Sequence, residues 1–158
     1  VEREWVAEES VVVRAEPRAV YAAVADPRRM PGWSPELFAV WIRAKGRKFV
    51  GFNRIGWRVW FTDSHVTVAE PGRNYAFRVT SFGIPVALWG FRIEDIGDGS
   101  VRLAQYWEDL RRDHRGSGFV SVLGRLFTGV DAPDRAAHNR AGMRATLARI
   151  KTAVERAA

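Results

Sequence analysis

Polar and apolar side chains alternate from Glu4 and end in the run Val11-Val12-Val13, which predicts a first strand over Glu4 to Val13. Glu16-Pro17 then opens a short helix, because proline suits a first helical turn, and Val20, Tyr21 and Val24 share one face. Asp26-Pro27 stops it. A second short helical turn is expected over Pro27 to Met30, ended by Pro31-Gly32, with Trp33-Ser34-Pro35 as a connection. Strand patterns follow without a helical period until about Arg112, near Leu37–Ala44, Lys48–Ile55, Arg58–Ala69, Asn74–Ser81, Val86–Ile96 and Val101–Arg111. Their separators are turn formers such as Gly56, Glu70-Pro71-Gly72 and Gly97-Asp98-Gly99, and connectors this short make successive strands antiparallel neighbours.

The last third changes period. Phe119–Val130 is apolar and reads as a short helix or a lid. From Ala132 to Ala157, Ala136, Asn139, Met143, Leu147, Ile150 and Val154 recur at three- and four-residue steps, the stripe of an amphipathic helix. With no repeat, low-complexity segment or linker, residues 1–158 read as one α+β domain. A long helix with one apolar stripe has one large surface to cover, so it is expected to lie across the sheet.

Alternation also assigns the inner face of each strand. Ala87, Trp89, Phe91 and Ile93 form one inner set, and Tyr75, Phe77 and Val79 another. Trp60, Thr62, Ser64, Val66 and Val68 follow, placing Asp63 and His65 in solvent. Phe49, Gly51 and Asn53, then Val101, Leu103, Gln105, Trp107 and Asp109, complete the face. Asn53, Gln105 and Asp109 are polar at positions the pattern marks as buried, where an unpaired group costs about 1–3 kcal/mol. Either they pair within the protein, as Asp109 would with Arg54 or Arg111 at a rim, or they line a wet cavity. Trp60, Trp89 and Trp107 on the same face favour the cavity, since a flat ligand needs broad aromatic walls and a few polar points.

Composition narrows the chemistry. The 158 residues contain no cysteine, which excludes disulfides, thiolate metal sites and thiol catalysis. No run approaches the roughly 18 apolar residues of a membrane span, and Val1-Glu2-Arg3-Glu4 lacks a signal-peptide layout, so stable membrane insertion is not expected and a cytoplasmic location is. The net charge of +7 comes from arginine spread along the chain. In Trp41-Ile42-Arg43-Ala44-Lys45 and Trp57-Arg58-Val59-Trp60-Phe61 the arginines read as solvent-facing members of alternating strands, and no nucleic-acid partner is expected. His65, His114 and His138 show no metal spacing, so neither metal nor cofactor is expected. His65 reads as exposed, His114 as part of a charged loop, and His138 as lying on the outer or flanking face of the last helix. Gly116-Ser117-Gly118 lacks the strand-to-helix context of a nucleophile elbow.

The element order, together with Glu16-Pro17, Val20-Tyr21, Asp26-Pro27, Trp33-Ser34-Pro35-Glu36, Val50-Gly51, Asn53-Arg54-Ile55-Gly56, Val68 to Arg73, Trp107-Glu108-Asp109 and Arg144 to Lys151, resembles the superfamily of START-related lipid-transfer proteins, birch-pollen-allergen-like proteins and polyketide cyclases. The resemblance covers nearly the whole chain. It implies the helix-grip fold, a curved seven-stranded antiparallel sheet with two short helices and one long C-terminal helix across it, enclosing a cavity for a hydrophobic or aromatic small molecule. These motifs mark a fold and not a reaction, so two functions stay open.

One is a polyketide cyclase or aromatase of secondary metabolism, working by acid–base catalysis without metal. Gln105 and Asn53 would then donate to substrate carbonyls, and Asp109 or Tyr75 would shuttle protons. Trp33, Phe49, Trp60, Thr62, Ser64, Phe77, Trp89, Phe91, Trp107, Asn139 and Met143 would line the ligand. Such an enzyme ordinarily shows a buried histidine or an acid–base pair, and neither is visible in the sequence. The other is a carrier, sensor or sequestering protein for a lipid or hydrophobic metabolite, monomeric or homodimeric, with Phe119–Val130 as a gate, a core helix or a dimer contact.

Overall fold

The computed structural model describes residues 5–113 and 134–157. Their strands are β1 (Val6–Val13), β2 (Leu37–Arg43), β3 (Lys48–Ile55), β4 (Arg58–Glu70), β5 (Asn74–Ser81), β6 (Ile84–Gly97) and β7 (Ser100–Asp109). Helix α1 (Pro17–Val24) and a 3-10 segment (Pro27–Gly32) link β1 to β2, and the long helix α2 is Arg135–Ala157. Among the described residues the strands form one antiparallel sheet in the order β1-β7-β6-β5-β4-β3-β2. The long helix packs on its inner face, the α+β helix-grip arrangement.

The elements start and stop for local reasons. Pro17 stands at the start of α1, where its missing N–H costs no helical bond. The Asp26 carboxylate accepts from the Arg28 backbone N–H at 3.1 Å, and Pro27 and Pro31 hold the next turn to a short 3-10 form. Strand β7 ends at Asp109, two residues before the sequence pattern suggests. The Asp109 carboxylate accepts the Arg111 N–H at 3.0 Å and turns the chain into a 3-10 segment, Leu110–Asp113. Strand β6 begins at Ile84, earlier than Val86, because Pro85 sits opposite Thr80 at a register shift, where its lack of a donor is tolerated.

Buried residues follow the predicted alternation on the inner face of β7, from Val101 to Asp109, and along the stripe of α2 from Ala136 to Val154. They form two clusters. Leu147, Ile150 and Val154 of α2 join Val13, Val101, Leu103 and the buried face of α1. Ala136 and Met143, nearer the start of α2, join Ala7, Val79, Ala87 and Trp107. The first cluster closes one end of the fold.

On the outer face, the Tyr106 ring lies across Gly90. A Cβ at that position would stand 2.2 Å from Tyr106 Cζ, so only glycine admits the ring. The phenol donates to Asn74 Oδ1 at 2.9 Å, and the Arg92 guanidinium stacks 4.4 Å from the ring centre. The β2–β4 side differs from the expected alternation. Trp41 and Arg43 share the outer face, as do Val59 and Phe61, while Arg58 has the parity of Trp60 and stacks on Trp57 at 5.1 Å. Arginine and tryptophan stay together there because a planar guanidinium gains more against a ring than alone in water. Phe119–Val130, Gly116 to Gly118 and His114 lie outside the described residues.

Two outcomes test this packing. Gly90→Ala is expected to cost about 1–3 kcal/mol by displacing Tyr106, read as a lower urea midpoint. Asp109→Ala, which strands the buried Arg111 guanidinium, is expected to cost about 3–5 kcal/mol. Wild-type stability in that variant would show that the carboxylate does not hold the end of β7.

Candidate functional site

The start of β2, the β3–β4 and β5–β6 hairpin turns, the end of β7 and the start of α2 all fall at one end of the sheet, as antiparallel order requires. There the sheet and helix separate around a cavity of about 440 Å³. Phe49, Trp60, Phe77, Trp89, Phe91 and Trp107 supply its sheet wall. Phe49 meets Phe77 edge-on at 5.3 Å between ring centres, and Trp89 is tilted against Trp107 at 6.5 Å. Met30 comes from the 3-10 segment and Trp33 from the position that caps it, and Asn139 and Met143 come from α2. Gly142 faces Pro35 across the mouth, where a Cβ would stand 3.5 Å from Pro35 Cγ.

Polar groups are few and differ in how they are held. Asn53 Nδ2 donates to Thr62 Oγ1 at 3.3 Å and to Gly51 O at 3.4 Å, so Asn53 both lines the cavity and ties β3 to β4. Ser64 is buried beside them on the same face. Gln105 is 8% exposed and lines the cavity, and its Oε1 is buried with no hydrogen-bond partner among the described residues. The Trp33 indole N–H is likewise buried and, among the described residues, unpartnered. Such groups carry a desolvation cost that a donor or acceptor on a ligand offsets.

Asp109 and Tyr75 stand elsewhere. Asp109 is fully buried behind the wall, where its two carboxylate oxygens accept from Arg111 Nε at 2.8 Å and from the Arg111 guanidinium at 2.7 Å. This is the rim pairing left open by the sequence, with Arg111 rather than Arg54. Tyr75 packs edge-on to Tyr21 at 6.4 Å and against Phe77 at 6.1 Å, outside the cavity lining. Burial, with the nearby Tyr21 and Asp26, pushes its phenol pKa far above the usual value. A group held protonated in this way is a poor base.

Sequence reasoning missed the charged groups at the mouth. His138 lies on the flanking side of α2 as expected, but that flank, with Arg135, Gly142 and Thr146 one turn apart, is the one turned to the cavity. His138 Nε2 stands 2.5 Å from Glu36 Oε1, and both are partly buried. Glu36 is held in a turn where Ser34 Oγ accepts the Leu37 N–H at 3.1 Å. Arg111 and Arg135 complete the mouth. Burial pushes the Arg135 pKa down, while the Glu36 carboxylate opposes that shift. The signal available in the sequence was Trp33-Ser34-Pro35-Glu36, a carboxylate in a serine-bonded turn, but its partner is 102 residues away. Among the described residues, no three His, Asp or Glu side chains stand where they would hold a metal ion.

This geometry has solved relatives. A polyketide-cyclase-like protein from Corynebacterium glutamicum is 28% identical with a TM-score of 0.58, covering 95% of this chain and 91% of its own. The Zhui aromatase/cyclase from a Streptomyces species is 18% identical with a TM-score of 0.62, covering 96% and 93%. The protein XoxI from Bacillus cereus is 12% identical with a TM-score of 0.68, covering 96% of both chains. The last two likenesses show the shared fold alone. No curated protein matches the chain. Residues 4–155 match the family described as polyketide cyclase / dehydrase and lipid transport, and the chain belongs to that family.

Proposed function

We propose that the protein binds a flat, largely apolar molecule bearing hydroxyl or carbonyl groups and acts on it by cyclase- or dehydratase-type acid–base chemistry. The observation that carries this reading is one cavity that holds both a histidine–carboxylate pair, His138 with Glu36, and a buried amide, Gln105, whose Oε1 has no partner among the described residues. An orphan acceptor on an aromatic wall calls for an O–H on the ligand, as an enol or phenol supplies. With Glu36 accepting from Nε2, the other ring nitrogen, Nδ1, is the atom we assign as base for the acidic proton of a carbon between two carbonyls. Trp60, Trp89 and Trp107 would restrict the conformers of a flexible polyketone, which is the larger part of directing a ring closure. Asp109 and Tyr75 take no part in this proposal, and Asn53 acts on the ligand only through the acceptor capacity left to its side-chain oxygen.

A second reading rests on the aromatic wall. With few polar points, the same cavity suits a carrier of a hydrophobic metabolite. Native mass spectrometry of protein from its own host, paired with turnover of a poly-β-ketone, separates the two. His138→Gln is expected to lower kcat about a hundredfold or more with little change in KM. A co-purified lipid without wild-type turnover would leave only the carrier. Gln105→Leu is expected to raise the stability of the free protein by about 1 kcal/mol, since it removes a buried unpaired acceptor, and to weaken ligand binding about tenfold. A variant that loses stability while keeping affinity would overturn the role given to Gln105.

A further inference from the structure

The outer surface beside the cavity mouth has a chemistry that the binding function does not require. The first five residues of β4 extend beyond β5, which joins only at Asp63, so the β3–β4 hairpin projects from the sheet. Its turn carries Trp57, 84% exposed, and Val59 and Phe61 follow on its outer face, each more than half exposed. The neighbouring β5–β6 turn opens with Phe82, 67% exposed, and Val59, Phe61 and Phe82 all reach the rim of the cavity.

Phe82 adopts a φ of 53°, a left-handed conformation that glycine or asparagine takes at lower cost than a bulky side chain. The fold therefore keeps an exposed aromatic ring where a polar turn residue would be more stable. Of the six basic side chains in residues 38–65, Arg54 and Arg58 flank this hairpin, while Arg43, Lys45, Arg47 and Lys48 lie at the opposite end of β3. Arg54 and Arg58 lie over the Phe38 and Trp57 rings at 6.0 and 5.1 Å, so their guanidinium groups are placed next to the exposed apolar groups.

We propose that the protein docks peripherally on an anionic lipid bilayer through the β3–β4 hairpin and the β5–β6 turn. Trp57, Phe61 and Phe82 enter the headgroup region, and Arg54 and Arg58 lie against lipid phosphates. Single aromatics projecting from adjacent hairpins, with arginines at their flanks, match the layered polarity of a bilayer surface. A single-stranded nucleic acid instead needs a continuous row of rings along a basic groove. Docking there also sets the mouth of an apolar cavity against the phase in which an apolar ligand dissolves. Among the described residues no helix is long and apolar enough to cross a membrane, so the contact proposed is a surface one.

The test is flotation of the full chain with phosphatidylcholine vesicles, with and without about one-third phosphatidylglycerol, at low and high salt. The wild type is expected to float with the anionic vesicles and to be released by salt. Trp57→Ser with Phe82→Ser should lower partitioning about tenfold or more, and Arg54→Gln with Arg58→Gln about 30-fold, whereas Arg102→Gln at the far end of the sheet should stay within about twofold. Quenching of wild-type tryptophan emission by brominated lipid reads the same insertion without a substitution. Failure of the wild type to float, or flotation of both double variants at the wild-type level, overturns the proposal. So does a dimer that the aromatic variants disperse, or binding of a single-stranded oligonucleotide that the same variants abolish, where vesicles are not bound.

Discussion

The fit of the apolar stripe of α2 to the inner face of the sheet is the contact on which the rest of the structure depends. Leu147 and Ile150 are almost wholly buried against Val101, Leu103 and α1, and each such side chain contributes about 1.5–3 kcal/mol. That stretch of helix closes one end of the fold. Nearer its start, the stripe meets the sheet through Ala136, Asn139 and Met143, flanked by Gly142 and Thr146. Smaller and more polar side chains fill less of the space between the layers, and a cavity remains. An interior glycine costs a helix about 1 kcal/mol relative to alanine, and a Cβ at Gly142 would meet Pro35 only at ordinary contact distance, 3.5 Å. One helix thus serves as core at one end and as cavity wall at the other.

The buried polar groups divide by whether the protein itself satisfies them. Asp109 and Arg111 form a two-pronged pair with neither side chain open to water, which fixes the end of β7 and the rim of the mouth. Removing one partner would expose the full cost of the other, so the pair behaves as a unit. Gln105, four residues earlier on the same face, has no such partner for its Oε1 among the described residues. The difference matters for function. A satisfied pair is architecture, whereas an unsatisfied amide on an aromatic wall leaves an acceptor open toward the cavity, which is the point the proposed function builds on.

Much of the fold was legible because period alone decides it. The inner set Ala87, Trp89, Phe91 and Ile93 and the helical stripe from Ala136 to Val154 are readable without any knowledge of partners, since two- and 3.6-residue periods report which side faces a core. The aromatic wall followed from the same rule. What was not legible depends on contacts between distant segments. Nothing local tells His138 that Glu36 lies across the mouth, and its flanking position on the helix read as bland until the side facing the cavity was known. Asp109 and Tyr75 share the parity of real wall residues, yet one is taken up by Arg111 and the other by a cluster of rings. Parity gives a face, but not whether the space above that face is filled.

The β4 segment Trp57-Arg58-Val59-Trp60-Phe61 shows where alternation ceases to describe a plain soluble sheet. A strand with one solvated face should place polar residues opposite Trp60 and Thr62, as Asp63 and His65 do further along. Val59 and Phe61 occupy those outer positions instead, and one strand further out the edge strand, β2, bears Phe38 and Trp41 on the surface. Exposed apolar groups at a sheet edge invite pairing with other chains, and basic residues are one means of discouraging it. Arg43 and Lys48 face each other across β2 and β3, and Arg54 stands opposite Val59. Arg43 and Lys48 oppose edge-to-edge association of like-charged copies at one end of β3, and Arg54 and Arg58 do so beside the exposed rings at the other. This arrangement of arginine on aromatic rings lies on the side of the sheet that the folding core does not use.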